Sequence, residues 1–325
     1  MERRKLGDLD VSAMGLGCMS MTPIYGTPDE GEAIATIHRA LDHGIDLIDT
    51  SDAYAAGKNE ELVGRALKGC RDKAILATKF GNVRLPDGTP GARGDADYAR
   101  QSCEASLKRL GVDTIDLFYV HRIDPVVPIE ETVGALADLK AEGKIRHIGL
   151  SEASPETLMR AHATHPIAAL QTEYSLWSRE AEETLLPLCA ELGVGYVAYS
   201  PLGRGFLTGT ITGPDSLEEG DRRRQHPRFA EENLAQNVRL LDTLTELAAG
   251  EGCTPAQLAL AWVLSRGRHI VALPGTKQRK WLDANMAAAT LAPSRETLGA
   301  LEAAFHPGVA AGTRYPAGQM ASLGV

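Results

Sequence analysis

In three segments of the chain, a run of apolar residues is followed by side chains suited to acid–base chemistry. Each run is short and breaks into polar residues, which is typical of a buried strand followed by a turn. The segments are 45–54, 74–79 and 115–121, and their polar residues are Asp49, Tyr54, Lys79 and His121. If these strands lie in one parallel sheet, a carboxylate, a phenol, an amine and an imidazole gather at the same rim.

Each of these residues alone has an ordinary structural explanation, such as a turn-forming Asp or a packed Tyr, but together they indicate a proton donor. A phenol has a reference pKa near ~10, so it is a poor acid at neutral pH unless its anion is stabilised. An ammonium within ~4–6 Å favours that anion and lowers the pKa by ~1–3 units. We therefore expect Lys79, held by Asp49, to tune Tyr54 as a general acid. His121 would orient the substrate oxygen or help relay the proton.

A general acid without a neighbouring nucleophile needs another group to attack the substrate, and hydride from a nicotinamide fits that need. Ser151 and Gln171 carry a hydroxyl and an amide suited to a carboxamide, and Tyr199 can stack on a flat ring. The glycine-rich segment 200–209 lets the backbone approach a pyrophosphate. Segment 274–277 offers backbone N–H groups and a lysine to an anion at a helix N-terminus.

The chain around these segments alternates between strand and helix signals. Residues 3–6 and 11–14 predict a hairpin around a turn at 7–10. The further predicted strands are 16–19, 45–49, 74–78, 115–120, 145–149, 168–172, 195–199 and 270–272. Helices are predicted at 33–41, 60–67, 98–110, 129–141, 181–192, 238–248, 278–290 and 294–305, and two more begin after Ser154 and Thr254.

Eight strands joined by helical crossovers predict an α/β fold, a parallel (β/α)₈ TIM barrel. We expect a single domain over 1–325, with a hairpin in 1–14 and a tail at 307–325. An open doubly wound sheet is the alternative, which the absence of Gly-x-Gly-x-x-Gly after the first strand weakens. Barrels carry their chemistry in loops at the C-terminal rim, so the long loops 80–97 and 203–231 and the tail are expected to shape a substrate cavity.

Composition excludes several classes of function. The 325 residues are 43% hydrophobic and 24% charged, as in an ordinary globular protein. A net charge of -9 with dispersed basic residues argues against a nucleic-acid partner. Five widely spaced cysteines without a Cys-x-x-Cys pair predict reduced thiols in the cytoplasm. We expect no membrane span or export signal, because long apolar stretches are missing, and no metal, because the histidines lack ligand spacing.

Taken together, the motifs resemble the aldo-keto reductase superfamily, and within it the longer microbial and plant members that reduce aldehydes with NADPH. The match runs in order from about Gly15 to Ala289. The motifs are Ile-Asp-Thr-Ser-Asp-Ala-Tyr54, Ala-Thr-Lys79, Asp-Leu-Phe-Tyr-Val-His121-Arg, Gly-Leu-Ser151, Gln171-Thr-Glu-Tyr, Tyr199-Ser-Pro-Leu-Gly-Arg-Gly and Pro-Gly-Thr-Lys277.

This resemblance implies a catalytic tetrad of Asp49, Tyr54, Lys79 and His121 in a (β/α)₈ barrel. It also implies NADP(H) bound in an extended form across the rim without a Rossmann domain. Hydride would pass from nicotinamide C4 to a carbonyl carbon while Tyr54 protonates the oxygen. The expected cofactor contacts are Cys18, Met19, Asp49, Ser151, Gln171, Tyr199, Ser200, Leu202, Gly203, Arg204, Gly205, Gly275, Thr276, Lys277, Arg279 and Asn285.

The chain departs from the pattern of these relatives at three positions. Glu152 stands where they often carry Asn, Gln278 where many carry Arg, and Ala284 where many carry Glu. Losing one cation near the 2′-phosphate should weaken the preference for NADPH over NADH. We expect NADPH to remain favoured through Lys277 and Arg279.

The leading hypothesis is an NADPH-dependent oxidoreductase acting on a small aldehyde or ketone. One alternative is a non-catalytic subunit that senses nucleotide. Another is a lyase that forms a Schiff base through Lys79. Asp49 argues against the lyase, because an ion-paired lysine stays protonated and unreactive.

Overall fold

A closed barrel of parallel strands organises the protein, as the alternating strand and helix signals predict. The computed structural model describes residues 1–85 and 87–325. Its strands are β1 Arg3–Leu6, β2 Leu9–Ser12, β3 Leu16–Gly17, β4 Leu47–Asp49, β5 Ile75–Phe80, β6 Asn82–Arg84, β7 Pro90–Ala92, β8 Ile115–Val120, β9 Ile145–Ser151, β10 Ala169–Glu173, β11 Gly195–Tyr199 and β12 Ile270–Leu273.

The barrel is an eight-stranded sheet in the order β3-β4-β5-β8-β9-β10-β11-β12, with every neighbouring pair parallel. Its two edges meet, because Gly15 N–H donates to Ala272 O at 2.8 Å and Gly17 N–H donates to Pro274 O at 3.1 Å. The sheet closes on itself and leaves no open edge, which confirms the barrel over the doubly wound alternative.

Helices cover the outside of the barrel. They are α1 Glu30–Asp42, α2 Lys58–Leu67, α3 Ala96–Leu110, α4 Ile129–Ala141, α5 Pro155–Thr164, α6 Leu185–Leu192, α7 Glu231–Asn237, α8 Arg239–Gly250, α9 Pro255–Ser265, α10 Arg279–Met286, α11 Arg295–Ala304 and α12 Ala317–Met320. Ser154 and Thr254 cap α5 and α9 through their side chains, as predicted. None of the helices in the described ranges is long and apolar enough to cross a membrane.

Alternation along the strands decides which side chains point into the barrel. Leu47, Ala77 and Tyr119 belong to a buried cluster inside the barrel. Their neighbours Ile48, Leu76 and Phe118 belong to the larger cluster packed under the helices. Because side chains alternate, the residue two positions after Leu47, Ala77 or Tyr119 also points inward, near the carboxyl end of its strand. Those positions are Asp49, Lys79 and His121.

The hairpin closes the amino-terminal end of the barrel. Leu6 and Val11 join the interior cluster, and a Cβ on Gly195 would lie only 2.3 Å from a Leu6 methyl group. The pairing of Leu6 with Leu9 shows that the second strand is Leu9–Ser12, so the predicted strand at 11–14 was placed two residues late. The reason is Gly7, whose φ of 61° permits a two-residue turn.

Two other predicted boundaries were wrong for local reasons. The strand predicted at 16–19 ends at Gly17, because Cys18 has α-region dihedrals and a 3₁₀ turn follows at Met19–Met21. The helix predicted at 181–192 is a 3₁₀ turn at Glu180–Glu182 followed by α6. Pro187 lacks the N–H that a continuous helix would need at that point, so it stands in the first turn of α6 instead.

Candidate active site

A buried ion pair lies at the carboxyl end of the barrel. Lys79 on β5 pairs with Asp49 on β4, and both side chains are almost completely excluded from solvent. The Lys79 ammonium also donates to Thr50 O at 2.8 Å. The Gln171 amide donates to the other Asp49 oxygen at 2.9 Å. The lysine is therefore held in one position by groups from the turn after β4, and the carboxylate is held by β10.

Tyr54 and His121 lie beside this ion pair. The Lys79 nitrogen is 5.3 Å from the centre of the Tyr54 ring, and the His121 ring meets the Tyr54 ring edge-on at 5.8 Å. Tyr54 reaches this place because the chain turns sharply after it, with left-handed backbone at Ala55 and Ala56. The structure thus brings together all four residues predicted from strand ends.

Burial dominates the proton affinities of these groups. It raises the pKa of Tyr54 above its usual value, although the Lys79 ammonium acts in the opposite direction. Burial lowers the pKa of Lys79, but the Asp49 charge and the hydrogen bonds with Asp49 and Tyr54 act in the opposite direction, and the net shift is upward. Burial, Arg122 and Lys79 together hold the pKa of His121 well below its usual range. At neutral pH the site therefore contains a neutral phenol, an ammonium and a neutral imidazole.

Ser51 and Asp52 lie next to His121. Ser51 Oγ is 2.9 Å from His121 Nδ1 and 3.3 Å from an Asp52 oxygen. Burial, followed by the charge of Glu60, raises the pKa of Asp52 to about 7. Glu60 is itself fully buried and pairs with Arg109 at 2.6 Å. Sequence reasoning did not single out Ser51 or Asp52, although both stand inside the segment that identified Asp49 and Tyr54.

The loop after β11 has an unusual backbone. Ser200, Gly203, Arg204 and Gly205 all have positive φ, between 49° and 93°. A side chain at Gly203 would clash with Trp177, because its Cβ would lie 2.6 Å from the Trp177 Nε1 atom. The Arg204 guanidinium folds back to Glu173 at 2.8 Å. The positive φ angles and the glycines therefore let this loop pack closely against Trp177 and Glu173.

The loop after β12 lies against strand β3. A Cβ on Gly17 would lie 3.4 Å from Gly275 Cα, so the two loops meet through glycines. The Lys277 ammonium donates to the carbonyls of Tyr25 at 2.8 Å and Thr27 at 3.2 Å. Beyond it, a cavity of about 590 Å³ opens beside α10, lined by Glu32, Arg39, Gln278, Arg279, Lys280 and Asp283.

The other predicted contacts are spread along the same rim. Cys18 is buried beside Asp49, with its N–H donating to Asp49 O at 2.9 Å, and the partly buried Met19 follows it. Ser151 pairs with Gln171 across β9 and β10. Leu202 precedes the turn at 203–208, Thr276 caps Gln278 N–H at 3.2 Å, and Asn285 is buried in α10.

Comparison with known proteins agrees with this geometry. The family described as the Aldo/keto reductase family matches residues 13–305. A protein of Glycine max named "Probable aldo-keto reductase 1" is 47% identical over 315 residues, covering 96% of this chain and 91% of its own. The chain belongs to the aldo/keto reductase family. That membership makes it an NAD(P)H-dependent oxidoreductase that acts on small carbonyl compounds, and the family uses NADP(H).

Solved structures of other aldo/keto reductases share the fold over nearly the full length. The glycerol dehydrogenase of Gluconobacter oxydans has a TM-score of 0.84 and 32% identity, and the match covers 93% of this chain and 94% of that one. An aldo/keto reductase of Klebsiella pneumoniae, in complex with NADP and acetate, has a TM-score of 0.74 and 28% identity, covering 96% and 97%.

Cationic side chains at the rim suit the phosphate groups of the NADP(H) that the family uses. A Cβ at Gly203 would meet the Trp177 ring and one at Gly17 would meet Gly275, so these glycines let neighbouring segments of the rim pack closely together. Cations are present at both ends of the path, with Arg204 after β11 and Arg279 at the start of α10. Arg204 already contacts Glu173 and Arg279 contacts Glu32, so a phosphate would share these cations with carboxylates of the protein.

The tail supplies two residues that sequence reasoning missed. Arg314 pairs with Glu152 at 3.1 Å, and the Tyr315 hydroxyl lies 3.0 Å from that of Tyr199, which donates to Glu152 at 2.7 Å. Gly324 N–H also donates to Glu152 O at 2.9 Å. Glu152 is thus one of the residues that join the tail to the barrel. The sequence pointed to this contact only through Glu152, a carboxylate at the end of a strand that had no assigned partner.

Proposed function

We propose that this aldo/keto reductase reduces aldehydes or ketones to alcohols with Tyr54 as the general acid, and that it prefers NADPH to NADH. The observation that carries the proposal is the buried Lys79 ammonium, held by Asp49 and Thr50 and placed 5.3 Å from the Tyr54 ring centre. An ammonium in this position stabilises the phenolate that forms when Tyr54 gives up its proton.

The state of Tyr54 before reaction supports its role as a donor. Because burial raises its pKa, the phenol holds its proton at neutral pH until a substrate oxygen gains negative charge. When bound, a reduced nicotinamide supplies hydride to the carbonyl carbon. Tyr54 donates its proton to the carbonyl oxygen, and Lys79 then faces the phenolate. Asp49 balances the charge of Lys79 so that the ammonium persists without solvent.

His121 is proposed to position the substrate oxygen rather than to donate a proton itself. Its low pKa makes the imidazole neutral at neutral pH, so it is a hydrogen-bonding group and not an acid. Ser51 Oγ lies 2.9 Å from Nδ1, and we propose that its hydroxyl donates there, so that the other ring nitrogen carries hydrogen and donates to the carbonyl oxygen. The substrate oxygen would then receive hydrogen bonds from both His121 and Tyr54.

The cofactor is proposed to lie along the rim, held at three places. Ser151 and Tyr199 end β9 and β11, and Gln171 in the middle of β10 donates to Asp49 of the ion pair, so these residues are proposed to hold the nicotinamide. The loop 200–205 suits the pyrophosphate. Lys277 and Arg279 stand beside the cavity at α10, where they would favour a 2′-phosphate and hence NADPH.

A Schiff-base role for Lys79 has little support. A nucleophilic lysine must be deprotonated, but the pKa of Lys79 is raised because Asp49 and Tyr54 outweigh the opposing effect of burial. A purely nucleotide-sensing role would not require Tyr54, Lys79 and His121 to lie side by side.

The test is turnover of a panel of aldehydes and ketones, followed by loss of NADPH absorbance. Tyr54→Phe should lower kcat by ~10²–10⁴, the usual range for losing a general acid. Its affinity for NADP⁺ should stay near that of the wild type, because no phosphate contact is changed. Tyr196→Phe is the matched control, since this buried hydroxyl has no hydrogen-bond partner within the described part of the chain.

Unchanged turnover in Tyr54→Phe would remove Tyr54 from the mechanism, and equal kcat/KM for NADPH and NADH would defeat the proposed preference.

A further inference from the structure

A carboxylate from another helix occupies the beginning of α10. Glu32 lies in the first turn of α1, and its Oε1 accepts a hydrogen bond from the backbone N–H of Arg279 at 2.9 Å. The same carboxylate contacts the Arg279 guanidinium, at 2.8 Å from a terminal nitrogen and 3.2 Å from Nε. Glu32 therefore holds both the backbone donor and the side-chain donor that an incoming anion would use here.

The cavity beside this contact contains a second pair of the same kind. Asp283 pairs with Arg39 at 3.0 Å, so each of the two acids that line the cavity holds one arginine. The third cation, Lys280, lies with its ammonium 4.7 Å from the centre of the Trp281 ring. The lining has the cations that a phosphate needs, but its own carboxylates already contact two of them.

We propose that Glu32 sets the discrimination between NADPH and NADH, by competing with the 2′-phosphate for Arg279 and by accepting a hydrogen bond from a free ribose 2′-hydroxyl. This inference rests on the proposed function, in which the loop after β12 holds the phosphate end of the cofactor. A carboxylate beside the ribose is the acceptor that suits a 2′-hydroxyl, and its charge repels a 2′-phosphate. Glu32 thereby lowers the preference for NADPH that Lys277 and Arg279 create.

The exposure of the pair explains why this competition is mild. The Arg279 side chain is 54% exposed and that of Glu32 is 29% exposed. Ion pairs in such surroundings are weak, because water solvates both partners well when they separate. A dianionic phosphate can therefore displace Glu32, and we expect Glu32 to reduce the affinity for the phosphorylated cofactor about twofold to fivefold.

The experiment measures dissociation constants of NADP⁺ and NAD⁺ by quenching of tryptophan fluorescence, without turnover. In Glu32→Gln the Kd for NADP⁺ should fall about twofold to fivefold, while the Kd for NAD⁺ stays constant or rises by up to about threefold. Glu30→Gln is the matched control, because Glu30 lies two residues earlier in α1 but pairs with Arg65. It should leave both constants unchanged.

A second variant tests whether Glu32 acts through Arg279. In the Arg279→Gln background, Glu32→Gln should have a much smaller effect on NADP⁺ binding, since the cation under competition is gone. Equal changes for both nucleotides in Glu32→Gln, or an unchanged ratio of the two constants, would overturn the inference while leaving the proposed function intact. A wild-type protein that binds neither nucleotide would overturn both. Thermal unfolding of each variant should match that of the wild type, which shows that the changes in affinity are local.

Discussion

The two ends of the proposed cofactor path use ion pairs in opposite ways. At the catalytic end, the side chains of Lys79 and Asp49 are 1% and 4% exposed. At the α10 end, the side chains of Arg279 and Glu32 are 54% and 29% exposed. Both pairs join residues of different elements through charge-assisted contacts, so burial is the main physical difference between them.

This difference explains what each pair can do. In the buried pair, neither partner can be removed without leaving a charge in a medium that solvates it poorly, so the ammonium beside Tyr54 is permanent. In the exposed pair, water replaces either partner at little cost, so the contact can be exchanged for one with a ligand. The ion pair at the catalytic end is therefore permanent, whereas the pair at the α10 end can open and let Arg279 bind a ligand.

Removing one buried partner should have the largest effect on stability. Lys79→Met leaves Asp49 without its counter-ion, and the free energy of unfolding should fall by ~3–5 kcal/mol. Urea denaturation of the wild type, Lys79→Met and the double variant Asp49→Asn with Lys79→Met measures it. The double variant should regain part of the loss, because it no longer buries a lone charge. A loss typical of an exposed pair, under ~1 kcal/mol, would contradict the contrast between the two ends.

The pH dependence of stability should show an intermediate effect at the catalytic end. Because the pKa of Asp52 is raised from 3.8 to about 7, the folded protein holds a proton that the unfolded chain releases between these values. Stability should therefore fall as pH rises from about 4 to about 7 and then level off, since the folded state binds more protons in that window. The loss attributable to Asp52 is on the order of 2–4 kcal/mol.

Asp52→Asn removes this titration while keeping the shape of the side chain. The variant should match the wild type at pH 4 and be more stable at pH 8, as measured by urea denaturation at several pH values. Asp72→Asn serves as the control, because Asp72 is exposed. If the wild type and Asp52→Asn respond equally to pH, another group is responsible for the titration.

The smallest effect is expected from the exposed pair across the α10 cavity. Asp283→Asn breaks the contact with Arg39, but the melting temperature should move by no more than about 1 °C, because both partners are well solvated. Differential scanning calorimetry measures the shift. A large fall in melting temperature would show that the α10 end is as rigid as the catalytic end and would weaken the idea of an exchangeable contact.

Much of the fold and of the candidate site follows from local pattern. The strands Ile115–Val120 and Gly195–Tyr199 and the helix Ile129–Ala141 have the predicted bounds, because apolar periodicity and a following glycine or polar turn mark them clearly. The inward direction of Asp49, Lys79 and His121 follows from the period of two along a strand. Errors at strand β3 and helix α6 arose where a single residue, Cys18 or Pro187, overrides the average pattern.

The sequence by itself determined which chemical groups stand at the strand ends, since that depends only on residue type and spacing. The tertiary structure alone decided their state and their partners. Burial, not the nearby lysine, controls the pKa of Tyr54, and burial is a property of the closed barrel. The contacts of Glu32 with Arg279 and of Glu152 with Arg314 join residues more than a hundred positions apart. Such pairs form only because β3 meets β12 and the tail crosses the rim, and no local pattern encodes either arrangement.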